Sequence, residues 1–417
     1  MKNGGNIKHL ILNTYDIKGG AAAATYRLHR ALLDMGIDSR MMVQFKDSDD
    51  YTVMGPETNH ERIMGKIRAR LDKKPLKLYK EYNKYPWSVS WLPHNISKKI
   101  KNIDPDIVHI NWVGEGYIPI KELAFIDYPM IWTLHDMWPF TGGCHYSYEC
   151  SRYVKSCGQC PQLGSSYSRD LSNRIWKKKR KYWKNLNLCI VSPSRWLANC
   201  AKESSLYGKL RIEVIPYVID LDVFKPIDKK TARNILNLPQ DKILILFGGL
   251  DATSDKRKGF QFLIPAIEKI TANNKGIEIC VFGASKPKNP VELNCNINYL
   301  GLINDYITLA IIYSAADVFI APSIQDNLPN TVIESLACGT PVVSFNIGGN
   351  PDMIDHKLNG YLASPFDVHD LELGIRWVIE DRTRLRKLSK NTRKKAEKIF
   401  NKDIVASKYI KLFKELI

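Results

Sequence analysis

The feature that most constrains this chain is an alternation, sustained over most of its length, between short apolar runs and stretches with helical spacing. IKHLILN (7–13) reads as a strand and residues 21–35 as a helix closing on Gly36. SRMMVQ (39–44), DIVHINW (106–112), MIWTLHD (130–136) and LCIVSPS (188–194) read as further strands. After Pro216 the alternation restarts with KILILFGG (242–249), a helix over 259–272, IEICVFG (277–283), INYLG (297–301), DVFIAPS (317–323), a helix over 333–338 and PVVSFN (341–346). Runs this apolar, separated by helices, belong to parallel sheets covered on both faces. The fold class is therefore α/β, with two doubly wound, Rossmann-like domains in succession. The expected boundaries are 1–213 for the first domain and 227–383 for the second, joined by the Pro-containing segment 214–226, VIPYVIDLDVFKP. A basic helix over 384–417 is expected to return to the first domain. At 417 residues the chain buries large cores without disulfide staples, and it shows no internal repeat of 20–50 residues.

Charge narrows the partners. Lys and Arg number 61 against 43 Asp and Glu, a net +18, and much of the excess falls in 62–84, 174–184 and 382–402. These clusters sit among apolar residues at helical spacing, and no nucleic-acid-binding module is recognisable, so nucleic acid is not an expected partner. The two readings that stay open are solvated helix faces and docking on an anionic membrane, with Trp87, Trp91, Trp176, Tyr182 and Trp183 at headgroup level. The apolar run near the N-terminus, Leu10 to Leu12, is too short for a signal peptide, and no run reaches the length of a membrane span. The expectation is a cytoplasmic protein, and a peripheral position on the inner face of the membrane stays open with the second of these readings.

In doubly wound sheets ligands sit beyond the C-terminal ends of the strands, and the suggestive residues fall there. Gly19 and Gly20 follow the first strand and open a helix, where a backbone loop approaches a ligand and a helix N-terminus favours an anion; a plain tight turn fits equally. His135 and Asp136 end the strand MIWTLHD, where an imidazole donates to a hydroxyl or a developing charge; a core histidine bonded to a carbonyl is the alternative. The richest segment is 317–354, with Asp326 in a loop, Glu334 in the first turns of the next helix, and Gly348-Gly349 at the following strand end. Helix N–H groups there hold a diphosphate, while carboxylates accept sugar hydroxyls; an acidic cap beside a loop is the plainer reading.

Asp326-x7-Glu334, followed by Cys338-Gly339-Thr340-Pro341-Val342-Val343, resembles the nucleotide-binding signature of glycosyltransferase family 4. The Gly19-Gly20 turn, His135, SPSRWLA (192–198), the linker, FGG…RKGF (247–260) and ADVFIAPS (316–323) recur in family order, so the likeness spans nearly the whole chain. The resemblance implies a GT-B fold with its active site between two domains, and sugar transfer from a UDP- or GDP-sugar with retention and without a catalytic metal. It implies that Glu334 binds the donor ribose, Asp326 the hydroxyls of the donor sugar, and His135 the sugar near the reacting carbon. Lys258, with Arg257 beside it, resembles the basic group on the leaving diphosphate, and Gly19, Gly20, Asn327, Leu328, Asn330 and Thr331 fall at donor-binding positions. The chain departs from the family in three places. Asp326 replaces a glutamate, Asn327-Leu328-Pro329-Asn330 replaces a glycine-containing stretch, and Gly249 replaces an arginine. The implied role is assembly of a cell-surface polysaccharide on a glycan or lipid-linked acceptor. A synthase acting on a small soluble acceptor and an inactive glycan-binding relative are the alternatives.

Four of the nine cysteines fall in one loop, 142–164, as Cys144-x5-Cys150-x6-Cys157-x2-Cys160. This pattern fits a structural four-thiolate zinc site, with His145 as a substitute ligand; disulfides, a redox pair or packed thiols also fit. Asp104-Pro105-Asp106 reads as the turn leading into a strand, and His109 as a core residue.

Overall fold

The computed structural model of the protein describes residues 7–82, 85–250, 252–272, 275–286 and 292–417. Residues 1–6 and Lys84, which fall in the N-terminal and first basic stretches read above, lie outside the described residues. The chain divides into two units, Met1–Pro216 with Ala406–Ile417, and Tyr217–Val405. Among the described residues, the first unit holds β1 (Lys8–Tyr15), β2 (Asp38–Phe45), β3 (Val53–Met54), β4 (Ile107–Ile110), β5 (Met130–Thr133), β6 (Leu188–Ser192) and β7 (Ile212–Val214). They form one parallel sheet in the order β3-β2-β1-β4-β5-β6-β7. The second holds β8 (Ile243–Gly248), β9 (Ile277–Phe282), β10 (Ile297–Gly301), β11 (Val318–Ala321), β12 (Val342–Phe345) and β13 (Gly360–Ala363), parallel in the order β10-β9-β8-β11-β12-β13. Both are Rossmann-like sheets. Each strand order reverses once, between β1 and β4 and between β8 and β11, which is where such sheets open a ligand crevice.

The central strands are buried along both faces because helices cover both. In β1 every residue from His9 to Thr14 is buried. The Ala-rich helix Gly20–Asp34 that follows stops where Gly36, at φ +82°, turns the chain back. The core of the first unit is aromatic. Trp132 lies 5.2 Å from Trp183 and 6.1 Å from Trp138 between ring centroids, and each indole N–H reaches a backbone carbonyl, of Asn111, Ile120 and Ser88 respectively. The second unit is packed mainly with aliphatic residues such as Ile245, Leu263, Ile267, Ile279, Ile320 and Val343.

Two expectations need correction. The second basic stretch forms the helix Leu171–Trp183, capped by Asp170 accepting from the Asn173 N–H, but its aromatic residues face inward. Trp176, Lys179 and Trp183 sit at helical spacing on one stripe and are 4%, 0% and 6% exposed. Trp176 and Trp183 are therefore core residues, unavailable to a membrane, while Arg174, Lys177, Arg180 and Lys181 are exposed. The single helix expected over 384–417 is two helices. Arg382–Ile399 stays with the second unit, where Arg393 donates to the carbonyls of Leu221, Phe224 and Ala337. The chain breaks at Phe400-Asn401, where the Ile219 N–H meets the Phe400 carbonyl and the Asn401 side chain accepts from Asp403. From Ala406 the helix Lys402–Leu416 belongs to the first unit. There Phe413 stacks on His9 and Tyr409 packs on His109.

Candidate active site

Three strand ends of the second unit supply one cluster. After β8 a single 3-10 turn, Lys256–Lys258, presents two cations before the helix Phe260–Thr271. Gly259 between them has φ +79° and presses against the Pro322 carbonyl so closely that any Cβ would collide with it, which brings this turn onto the loop after β11. That loop carries Asp326. Its Oδ2 accepts from Arg257 Nη1 at 2.9 Å and from Lys258 Nζ at 3.1 Å, and its Oδ1 accepts from the Asn327 N–H at 3.0 Å. Arg257 also donates to the Gln325 carbonyl and to Asp255. After β12, Gly348, at φ +54°, lies against the Asp326 carbonyl, where a Cβ would stand 2.1 Å from the oxygen. Burial of Asp326 would raise its pKa, but the Lys258 and Arg257 charges outweigh that and hold its carboxyl well below the usual carboxylate range. The carboxylate is ionised and both cations are fixed in direction.

Glu334 is buried one turn into the helix Asn330–Ala337, and its Oε2 accepts from the Tyr313 hydroxyl at 3.0 Å. The helix starts three residues earlier than expected, with Pro329 as its N-cap at φ −62°. Asn330 and Thr331 thus form the first positions of the helix, and Asn327 and Leu328 are buried just before it. Gly249, the position of the missing arginine, has φ +138° beyond β8.

The first unit presents a second cluster at its own switch point, with a neutral imidazole beside a hydrogen-bonded carboxylate. Gly19, at φ +89°, caps the helix Gly20–Asp34, with open space among the described residues where a Cβ would stand. One turn later Thr25 lies 3.3 Å from His135 Nε2, which also meets Asn111 Oδ1 at 3.0 Å; Thr25 itself donates to Asn111. Burial lowers the His135 pKa to about 4, although the neighbouring Asp136 charge opposes this. The imidazole is neutral near pH 7 and donates from Nε2 to an amide oxygen. Asp136 accepts from Trp112 at 2.9 Å and from His145 Nδ1 at 2.6 Å, and His145 Nε2 lies 2.9 Å from Ser88 Oγ. His109, read as a core residue, is fully buried between His9 and Thr133. Asp106 accepts from the Lys8 N–H, and Asp104 ends a helix in a left-handed conformation.

Arg257, Lys258, Asp326, Asn327, Leu328, Asn330, Thr331 and Glu334 thus belong to the second unit, and Gly19, Gly20 and His135 to the first. Tyr313, Asn111 and Thr25 were not singled out in the sequence. Asn111 stands directly after β4, a position that could have flagged it. Tyr313 gives no such signal, because it sits in the apolar helix Tyr306–Ala315.

Two Rossmann-like parallel sheets with these strand-end clusters define a GT-B glycosyltransferase. Residues 18–223 match the family model described as Glycosyltransferase Family 4 and residues 228–395 that described as Glycosyl transferases group 1; the chain belongs to these glycosyltransferases. It is 22% identical to the putative colanic acid biosynthesis glycosyl transferase WcaC of Escherichia coli K12, over 85% of this chain and 86% of that one. Its fold is similar to sucrose-phosphate synthase from Thermosynechococcus elongatus, with a TM-score of 0.70 and 20% identity over 98% and 99% of the two chains. It is also similar to HepE from Anabaena in complex with UDP and glucose, with a TM-score of 0.65 and 14% identity over 99% and 100%.

Proposed function

We propose that this glycosyltransferase moves a sugar from a UDP- or GDP-sugar, held by the second unit, to a glycan or lipid-linked acceptor of a cell-surface polysaccharide. The observation that carries this reading is the Arg257–Asp326–Lys258 cluster. Breaking the bond between the sugar and its nucleotide puts negative charge on the diphosphate, and fixed cations in a half-buried site stabilise that charge without reorganising. Asp326 orients both cations before the donor arrives and offers its carboxylate to the hydroxyls of the donor sugar. Glu334, steadied by Tyr313, takes the ribose. In this reading the two cations fill the role a divalent metal plays elsewhere, and the leaving phosphate itself removes the proton from the acceptor. Attack then comes from the leaving-group face and retains the anomeric configuration. The WcaC likeness supports a polysaccharide acceptor, and the HepE complex supports a uridine nucleotide.

The acceptor reading places the first unit at the inner membrane surface. The helix Asn59–Asp72 exposes Ile63 (57%) and Ile67 (40%), one turn apart, among exposed Arg62, Lys66 and Arg70. This face replaces the aromatic stripe of the helix Leu171–Trp183 as the candidate for lipid contact. Among the described residues no helix is long and apolar enough to cross a membrane.

The test is donor hydrolysis and transfer with a panel of UDP-, GDP- and ADP-sugars, with and without EDTA, using lipid-linked glycans and free sugars as acceptors. EDTA-insensitive transfer to the lipid-linked glycan, with an α-linked product from an α-donor, is the expected result. Transfer to free sugar phosphates alone would replace this reading with that of a soluble-acceptor synthase. Nucleotide-sugar binding without turnover would make the protein a binding relative.

A further inference from the structure

The loop between His135 and the helix Leu171–Trp183 holds chemistry that sugar transfer does not use. Cys144, Cys150, Cys157 and Cys160 carry no disulfide. All four line one cavity of ≈ 20 Å³, walled by Trp87 and Tyr153, a volume that suits a single atom-sized occupant. Each of the six sulfur pairs is close enough for one thiolate to disfavour another. Burial pushes the Cys157 thiol up to about 12 and the Cys160 thiol up to about 11. Four thiols thus surround one small space.

Two observations beyond the cluster point to a cation in that space. The first is the turn between the last two cysteines. Cys157, Gly158 and Gln159 adopt φ values of +45°, +112° and +47°, and two non-glycine residues in the left-handed region persist only where the surroundings impose them. Gly158 is held against the Ser168 carbonyl, and the Gly158 N–H donates to Ser172 at 2.9 Å. The second is Lys179. Its ammonium is fully buried, donates to the carbonyls of Trp138 and Thr141, and lies 3.8 Å from the Trp138 ring centroid. Among the described residues no carboxylate is hydrogen-bonded to it, and the acidic groups it feels most are Cys144 and Cys157, then Asp136. Burial lowers its pKa to about 7 against the pull of Cys144, Cys157 and Asp136, so an ammonium here keeps its proton only with negative charge beside it. Four thiolates around a divalent ion carry a net charge of −2, which Lys179 offsets.

We propose that Cys144, Cys150, Cys157 and Cys160 form a four-thiolate zinc site with Lys179 as its buried counter-charge. The ion displaces four protons, one from each thiol, and no electrons move. An all-thiolate tetrahedral set selects zinc among common cellular divalent ions. Among the described residues no three His, Cys, Asp or Glu side chains are already disposed to hold a metal ion. Binding therefore draws the sulfurs inward, to roughly 2.3 Å from the metal. Its consequence is positional. His145 follows Cys144 directly and clamps Asp136 beside His135, and the Met137 N–H donates to the His145 carbonyl at 2.8 Å. Fastening the loop fixes the segment that carries the imidazole of the first unit.

The test uses the full chain purified without chelators. Elemental analysis is expected to give about one zinc per chain. Exchange for Co2+ is expected to give sulfur-to-cobalt charge-transfer absorption in the near ultraviolet with the intense visible bands of tetrahedral cobalt. Cys150→Ser and Cys157→Ser each lower metal content and alter those bands, Lys179→Met weakens Co2+ affinity at least tenfold, and Cys200→Ser, outside the cluster, changes none of these. Wild-type protein free of zinc and giving no thiolate bands with Co2+ overturns the proposal. So does full zinc retention by both loop-cysteine variants, or a native disulfide between any two of the four by mass spectrometry.

Discussion

The two switch points share one strand order and differ in charge. Beyond β1 and β4 the first unit gathers Thr25, Asn111 and a neutral His135; beyond β8 and β11 the second gathers Arg257, Lys258 and an ionised Asp326. The difference extends to their interiors. Buried histidines and tryptophans with bonded N–H groups fill the first unit, while aliphatic side chains fill most of the second. One topology thus holds either a site built on a neutral imidazole or a site built on two fixed cations, depending on which residues end its central strands. In the proposed reaction the cationic site meets the diphosphate and the neutral imidazole meets hydroxyls, so positive charge stands where negative charge develops.

The sharpest way to break this contrast is to remove charge from the second unit. Lys258→Ala is expected to lower kcat by roughly 10²–10³ with little change in KM, because the diphosphate gains its charge during the reaction. Glu334→Ala is expected to act chiefly on donor KM, because ribose contacts exist before and during transfer. Steady-state kinetics of the two variants on one donor read both effects. Equal loss of kcat and of binding in both would refute the division of roles between them.

Acid should separate the two units. Burial lowers the pKa of His29 to about 4 and of His109 to about 3, and holds His9 well below its ordinary value. His29 also faces Asp50, which favours its charged form, and Arg30, which opposes it; His9 and His109 face one another, and His135 faces His109. A histidine whose folded pKa is depressed contributes stability that is fully present above its unfolded value, roughly 6.5, and is lost as pH falls toward the folded one. Each such group costs about 1.4 kcal/mol per pH unit across that window. The two histidines of the second unit, His356 and His369, are exposed, and its buried Asp326 loses stabilisation only below the ordinary carboxylate range. Eight of the nine tryptophans lie in the first unit. Urea titrations between pH 7.5 and 4.5 should therefore show the fluorescence midpoint falling well before any transition of the second unit. A midpoint independent of pH would mean that these histidines are not buried neutral.

The smallest effect tests a residue the sequence did not flag. Tyr313→Phe removes the hydroxyl that steadies Glu334. A single neutral-to-charged hydrogen bond of this kind contributes about 1.5–3 kcal/mol at most, shared here between stability and binding. The expected outcome is a donor KM raised a few-fold at unchanged kcat, and titration calorimetry with UDP reads it directly.

What was legible in the sequence follows from how local each signal is. Continuous apolar runs such as KILILFGG disclosed the strands and hence both parallel sheets, because burial on both faces leaves no alternation to read. Asp326 and Glu334 were legible because they stand eight positions apart in one segment. Tyr313 was not, because its partner lies 21 residues on and its own helix is apolar nearly all round. Lys179 was hidden in a run of five basic residues, and only its place on the Trp176–Trp183 stripe decides that it goes inside. The division between the last two helices was hidden as well, since both are basic and amphipathic and only Phe400-Asn401 interrupts them.

That division orders events in time. His9 of β1 meets Phe413 and His109 of β4 meets Tyr409, both from the helix Lys402–Leu416. A chain emerging from the ribosome therefore leaves His9 and His109 without these ring contacts until 404 and 300 later residues, respectively, have been delivered, and long-range closures of this kind form late. The first unit begins to fold before the second and finishes after it. A chain stopped before residue 409 would carry its lesion at the opposite end of the sequence, in a sheet it had already built.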